Sequence, residues 1–383
     1  MRDPLLTRRS LLKAGAATGA LALGVEPGAA LLAAARPTPR RVERVIFVAL
    51  SGGVRTRETL GTPANVPNLV RMASEGVTYP RARSSNLGHF GATLSLFTGI
   101  AEPRGIRENS RGGSPTVFEY VRKGLKLSSS DVWISTSGGA QQANYSHSLH
   151  PDYGEAFGAN TVDGDGIFNQ DFRQILAAYG KPREMSAREG ELLGSMRAAI
   201  DGGDAADDST GTGSDVERYL LQELASGTTD LRGTGASDAK ALRVSRNLLA
   251  VFRPRLLGIV LQDADVAHGN FNAYVEVIRR NDAMIGELWQ AVRSDPELAE
   301  TTAIFVLPEF GRDADLNSRR GLDHGDSSDD LNYVSIVAWG AGIRRGGAVQ
   351  EEVQVVDVCP TICSVLGVDS PLARGRSLPK LRI

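Results

Sequence analysis

The sequence predicts an α/β fold with a mainly parallel central sheet and helices on both faces. Three observations predict it. Residues 45–50, 256–261 and 302–307 are continuous apolar runs without polar alternation, as strands buried on both faces should be. Stretches with helical spacing separate such runs, and strands that alternate with helices build parallel sheets through crossover connections. With 383 residues and 41% apolar composition, the chain can bury a core large enough for one such unit.

The elements follow in order. Residues 1–35 read as a targeting segment: Arg8-Arg9 precedes a weakly apolar stretch from Ala14 to Val25, and small residues follow at Ala33, Ala34 and Ala35. This is the pattern of a bacterial twin-arginine signal, and the apolar stretch is too short and interrupted to span a bilayer. A periplasmic or extracellular location is therefore expected, with the twin-arginine translocase as the partner in export. Pro37 to Arg41 forms a short basic linker, and residues 36–383 are expected to form one α/β domain. The strand 45–50 ends at Ser51-Gly52-Gly53, a turn signal. Residues 66–75 carry helical spacing (Leu69, Met72, Ala73) behind Pro67-Asn68, with Gly76 as the stop. A helix over 91–98 is entered through a turn at Gly88-His89-Phe90-Gly91, and an amphipathic helix over 116–123 leads to a strand over 131–135.

Between about 186 and 241 the composition shifts to small polar residues without periodicity, which reads as a flexible insertion within the domain. Regular patterning resumes with the strand 256–261, a long helix over 271–294 and the strand 302–307. A strand over 333–338 and a helix over 356–366, closed by Gly367, complete the chain.

A formal net charge of −2, with no long basic run after residue 45, argues against nucleic acid as the main partner. Cys359 and Cys363 are four apart, a helical spacing that disfavours a disulfide, and they read as two small buried hydrophobes. The chemistry concentrates elsewhere. Asp263, Asp265 and His268 follow one apolar strand, Glu309 and Arg312 follow another, and His324 stands in Gly321-Leu322-Asp323-His324. The chain has only five histidines. Remote carboxylates and imidazoles at strand ends are what a metal-dependent hydrolase needs, and parallel sheets collect their chemistry at the carboxyl ends of strands. His147 and His150 read as surface residues of a loop, and Asp326, Asp329 and Asp330 as a solvated acidic loop.

Several stretches resemble the alkaline phosphatase superfamily, which includes sulfatases and phosphodiesterases. The first strand with Ser51-Gly52-Gly53, the segment Val66-Pro67-Asn68-Leu69, Ser95-Leu96-Phe97-Thr98-Gly99, and Asp357-Val358-Cys359-Pro360-Thr361-Ile362 carry the resemblance over 45–128 and 256–378. A closer resemblance is to a twin-arginine-exported branch with an L-x-GG turn (Leu50 to Gly53), an EFGR motif (Glu309 to Arg312) and a later G-x-DH (Gly321 to His324). The resemblance implies an alkaline phosphatase-like fold and a partly degenerate two-metal site. Ser51 stands where the family has an aspartate, His89 where it has its nucleophile, and Glu309-Phe310 where it has an Asp-His pair. The other half, Asp263 or Asp265 with His268 and His324, is retained. Such a half-site implies a divalent metal, Zn²⁺ first with Mn²⁺ or Ca²⁺ as alternatives, which would polarise a phosphoryl or sulfuryl oxygen. Glu309 is a candidate replacement ligand, His89 either a ligand or a nucleophile, and Thr93 a second hydroxyl candidate. Arg55 or Arg312 is the candidate clamp for an anionic small-molecule or polymer ester. A formylglycine sulfatase is disfavoured, because no Cys-x-Pro-x-Arg motif exists. The resemblance thus implies an exported metal-dependent hydrolase of phosphate or sulfate esters, or a non-catalytic relative that binds a cell-envelope ligand or partner.

Overall fold

β1, Arg44–Leu50, lies inside the sheet, hydrogen-bonded to a parallel strand on each side and buried at every position from Val45 onward. The chain, seen here as a computed structural model, is described over residues 41–382, except 104–105, 107–109, 139–143, 164–182, 185–211 and 214–230. The expected signal segment and most of the expected insertion lie outside the described residues.

Among the described residues, seven further strands join this sheet. They are β2 (Val77–Arg83), β3 (Val132–Thr136), β4 (Asn160–Asp163), β7 (Leu256–Leu261), β8 (Thr302–Pro308), β9 (Tyr333–Gly340) and β10 (Val353–Gln354). A separate two-stranded ladder pairs β5 (Arg183–Glu184) with β6 (Thr212–Gly213). The spatial order is β10-β2-β9-β8-β1-β7-β3-β4, and every pairing is parallel except those of β9 with β2 and β8. The expected fold class is the observed one.

Alternation along β1 explains the layering, because successive side chains of a strand point to opposite faces. Val45, Phe47 and Ala49 join one core, shared with α2 (His89–Thr98), α3 (Val117–Gly124) and α8 (Val358–Leu366). Ile46, Val48 and Leu50 join the other, shared with α1 (Pro67–Glu75), α4 (Ala236–Phe252) and α5 (Phe271–Ser294). Both faces are apolar because both are covered. Cys359 and Cys363 are free and buried in the first core, as their spacing suggested.

Some elements were not legible beforehand. β2 contains Pro80 and two arginines, and its pairing with β9 shifts register between Tyr79 and Ala82, where the missing proline N–H is accommodated. α4 occupies the last part of the stretch expected to be an insertion. Ala241, Leu242, Ser245, Leu248 and Leu249 are all buried on it, but alanine and serine dilute the apolar signal that would have marked a helix. Two short helices, α6 (Pro296–Thr301) and α7 (Asp329–Asn332), lead into β8 and β9.

Candidate functional site

The register of three strands fixes where the site lies. Leu50 pairs with both Leu261 and Pro308, so β1, β7 and β8 end at one level. The turns that follow, 51–53, 262–268 and 309–312, meet at this carboxyl edge, where strands later in the chain lie on both sides of β1. Gly52 and Gly53 make the close approach possible. A Cβ on Gly52 would stand 2.7 Å from the Gln262 carbonyl, and Gly53 adopts φ +64° with Arg312 Nε 2.7 Å from where its Cβ would be.

After β7 the chain enters a 3₁₀ turn, Asp263–His268. Three residues per turn bring i and i+3 onto one face, so Asp265 and His268 point together, with Asp265 Oδ1 3.3 Å from His268 Nε2. Asp263 points elsewhere and accepts the Asp238 backbone N–H at 3.0 Å, at the start of α4. The expected metal role of Asp263 is therefore corrected: the turn's periodicity carries it away from the histidines. Ala264 is buried.

α2 begins at His89 rather than at Gly91, so His89 lies on its first turn and Thr93 one turn later on the same side. Both reach Glu309. Thr93 Oγ1 donates to Glu309 Oε2 at 2.5 Å, and His89 Nδ1 lies 2.5 Å from Glu309 Oε1 and 3.1 Å from the Ser51 carbonyl. The other nitrogen, Nε2, is 3.0 Å from Asp265 Oδ1, off the line of a good hydrogen bond. His324 is placed by the loop after β8, where the Leu322 N–H donates to the Ala267 carbonyl at 2.7 Å. Its ring centroid lies 4.8 Å from His89 and 5.0 Å from His268, and Phe310 forms an apolar wall 5.2 Å away. The three remote histidines thus converge.

Charge is dense here. Burial alone would drive His89 down, but Glu309 and Asp265 overcome it and push the ring up to about 10. Complete burial pushes Glu309 up, against the pull of His89 and Thr93. The pair therefore keeps a proton through neutral pH. Burial would raise Asp265, yet His89 and Arg312 hold its carboxyl well below the usual carboxylate range. For His324, burial and the surrounding positive groups lower the ring to about 4, so it is neutral at pH 7.

Arg312 is wholly buried and each of its donors is engaged. Nε donates to the Gly53 carbonyl, Nη1 to the Leu322 carbonyl and towards His268 Nε2 at 3.0 Å, and Nη2 to the Gly52 carbonyl and Asp265 Oδ1. A guanidinium has five N–H groups, and none remains for an ester, so the expected clamp is corrected to an internal cation. Arg55 is likewise committed, bidentate to Glu58 and donating to the Asp313 and Ala314 carbonyls.

One nitrogen from each of His89, His268 and His324 lies within 4.8 Å of the others, an arrangement that invites a divalent ion. Their remaining contacts do not fit one. His89 faces acceptors through both nitrogens. His268 donates through Nδ1 to Asp323 Oδ1 at 2.7 Å, leaving Nε2 as the acceptor that Arg312 fills. His324 is the one member with no hydrogen-bond partner among the described residues.

The other expected residues fall as follows. Ser51 borders the site, but its hydroxyl is buried and unpartnered. Thr93 donates its hydroxyl to Glu309 and is fully buried, and the burial keeps it from a bound ester. His147 is partly buried beside Arg111 and Ser146, and His150 accepts from the Asp152 N–H; neither is part of the cluster. Asp329 and Asp330 pair with Arg81 and Arg57, and Asp326 accepts from Ala314 and Ser328. Two site residues were overlooked. Asp323 orients His268 and was signalled by its adjacency to His324. Tyr145, wholly buried behind Thr93 and Glu309 with its hydroxyl pushed up by burial, had no signal in its own segment.

The fold is alkaline phosphatase-like, and a cluster of histidines and carboxylates lies at its sheet edge. Solved structures with this fold include the wild-type alkaline phosphatase PafA (10% identity, TM-score 0.58, covering 90% of this chain and 99% of that one). The lipoteichoic acid synthase LtaP from Listeria monocytogenes is also similar (11%, TM-score 0.53, 87% and 74%). So is a phosphonate monoester hydrolase of Agrobacterium radiobacter (13%, TM-score 0.52, 88% and 77%). At these identities the likeness establishes the fold. No family model matches the chain, and no curated protein does.

Proposed function

We propose that this chain is an exported hydrolase of phosphate or sulfate esters, acting at the cluster of His89, His268 and His324. One observation carries the reading. Three histidines from three separate segments, with Asp265 and Glu309, converge at the strand ends of a fold shared with an alkaline phosphatase, a lipoteichoic acid synthase and a phosphonate monoester hydrolase. In this reading the ring of His89 borders the pocket that takes the ester, between Glu309 and Asp265. His324, neutral and with its one acceptor nitrogen unclaimed by the described residues, takes a proton from the attacking water as the bond to the leaving oxygen breaks, and returns it to that oxygen. Asp265, half-exposed and ionised, orients that water or the leaving group. Export rests on Arg8-Arg9 and the segment behind it.

A second reading, binding of an anionic envelope polymer without turnover, is favoured by the sealed hydroxyls. Ser51 and Thr93 are both buried, so neither supplies a nucleophile to a bound ester. The test is a screen of the purified protein against an aryl phosphate, an aryl phosphodiester, a phosphonate monoester and an aryl sulfate. Turnover that falls by about 100-fold or more in His324→Ala supports the hydrolase. No turnover on any class, with the protein folded, leaves the binding reading in its place.

A further inference from the structure

The centre already contains its own cations. Asp265 and Glu309 are the two carboxylates beside His89, and Asp265 also meets the guanidinium of Arg312. Arg312 reaches Asp265 Oδ1 at 2.6 Å, and the ring of His89 lies between Glu309 Oε1 at 2.5 Å and Asp265 Oδ1 at 3.0 Å. The groups facing His89 Nδ1 are the Ser51 carbonyl and Glu309, and the group facing Nε2 is Asp265. The groups at Nδ1 are acceptors, so that nitrogen carries hydrogen and is no lone-pair ligand, while Nε2 has Asp265 nearby without an aligned hydrogen bond.

The guanidinium is not free to withdraw. The carbonyls of Gly52, Gly53 and Leu322 bind three of its N–H groups, and Gly53 has no side chain because the guanidinium occupies that space. The two groups a divalent ion would need most, Asp265 Oδ1 and His268 Nε2, are the two that Arg312 fills at 2.6 and 3.0 Å.

We propose that this site works without a bound metal, the buried Arg312 guanidinium standing where a divalent cation would otherwise take Asp265 Oδ1 and His268 Nε2. An added divalent ion would meet the fixed guanidinium of Arg312 where it would need Asp265 Oδ1 and His268 Nε2. Arg312 is a positioning residue: it holds Asp265 and His268 in place and does not touch the ester. The inference rests on the proposed hydrolase reading only for the location of the site, and its test does not need activity.

Full-length protein produced in medium supplemented with Zn²⁺ and Mn²⁺ is passed through gel filtration and its metal content measured. Its thermal midpoint is then recorded with added Zn²⁺ and with a chelator. The expected result is below about a tenth of an equivalent of either ion per chain and a midpoint that moves by less than about 1 °C in both conditions. Retention of about one equivalent that disappears in His268→Ala and in His324→Ala would overturn the proposal. Arg312→Gln supplies the second arm. With the guanidinium gone, Asp265 and His268 are released, and Zn²⁺ affinity by calorimetry is expected to rise about tenfold or more over the wild type. A folded Arg312→Gln protein that gains no affinity would show that Arg312 is not what holds the ion off. If this variant does not fold, the wild-type measurement alone decides. A blank ester screen would sink the hydrolase and leave the metal result standing, whereas turnover abolished by the chelator would sink this inference and leave the hydrolase.

Discussion

Replacing His89 by alanine interrogates the centre through stability alone. Glu309 is fully buried, and its side chain has two partners, His89 Nδ1 at 2.5 Å and Thr93 Oγ1 at 2.5 Å. Removing the ring leaves a buried carboxylate with one hydroxyl partner. Breaking a buried charge pair from one side costs about 3–5 kcal/mol. Part of that is recovered, because Glu309, already pushed up by burial, can take up a proton once the imidazolium is gone. A loss of about 3 kcal/mol is therefore expected for His89→Ala at neutral pH.

Glu309→Gln keeps the shape and removes the charge, and the double variant should be little worse than His89→Ala, since an amide needs no counter-ion. The resulting coupling is expected at about 1.5–3 kcal/mol. Urea unfolding followed by the fluorescence of Trp133, Trp289 and Trp339 measures all four corners of the cycle. The sign with pH follows from the raised imidazole. The stabilisation His89 supplies is complete below its unfolded value of about 6.5 and is lost as pH rises through about 10. Wild type and His89→Ala should accordingly converge in stability across that interval. Additivity of the two single substitutions within about 0.5 kcal/mol would refute the charge pair.

Two further outcomes are expected. Burial and the neighbouring Asp263 carboxylate push Asp238 up to about 7, so the folded state holds a proton that the unfolded state releases near pH 4. Stability should then fall as pH rises from about 4 to about 7, and Asp263→Asn, which keeps an acceptor for the Asp238 N–H, should flatten that fall in a series of thermal melts. Gly53→Ala should destabilise by about 1–3 kcal/mol, since it sets a side chain at positive φ and against Arg312. A melting temperature unchanged by this substitution would mean that Arg312 is not held where its hydrogen bonds place it.

Much of the architecture was written locally. The runs ending at Leu50, Leu261 and Pro308 declare buried strands without any knowledge of their neighbours, because only a strand covered on both faces can be apolar at every position. Glu309 and the turn holding His268 were placed for a related reason, each standing just beyond such a run. Other features depended on geometry that spacing does not carry. Asp263 and Asp265 are equivalent as letters two apart, and the 3₁₀ turn separates their directions. Tyr145 backs Thr93 and Glu309 from a segment with no chemical signature.

What the amino-acid order determined by itself was the parallel sheet and the set of polar groups delivered to its carboxyl edge, since burial and turn formation are decided residue by residue along the chain. The charge state and commitment of those groups were decided only by tertiary structure. Arg312 reads as a free clamp in sequence and becomes a saturated internal cation in the fold, because its acceptors come from residues 52, 53, 265, 268 and 322, which meet only when the strand ends are level.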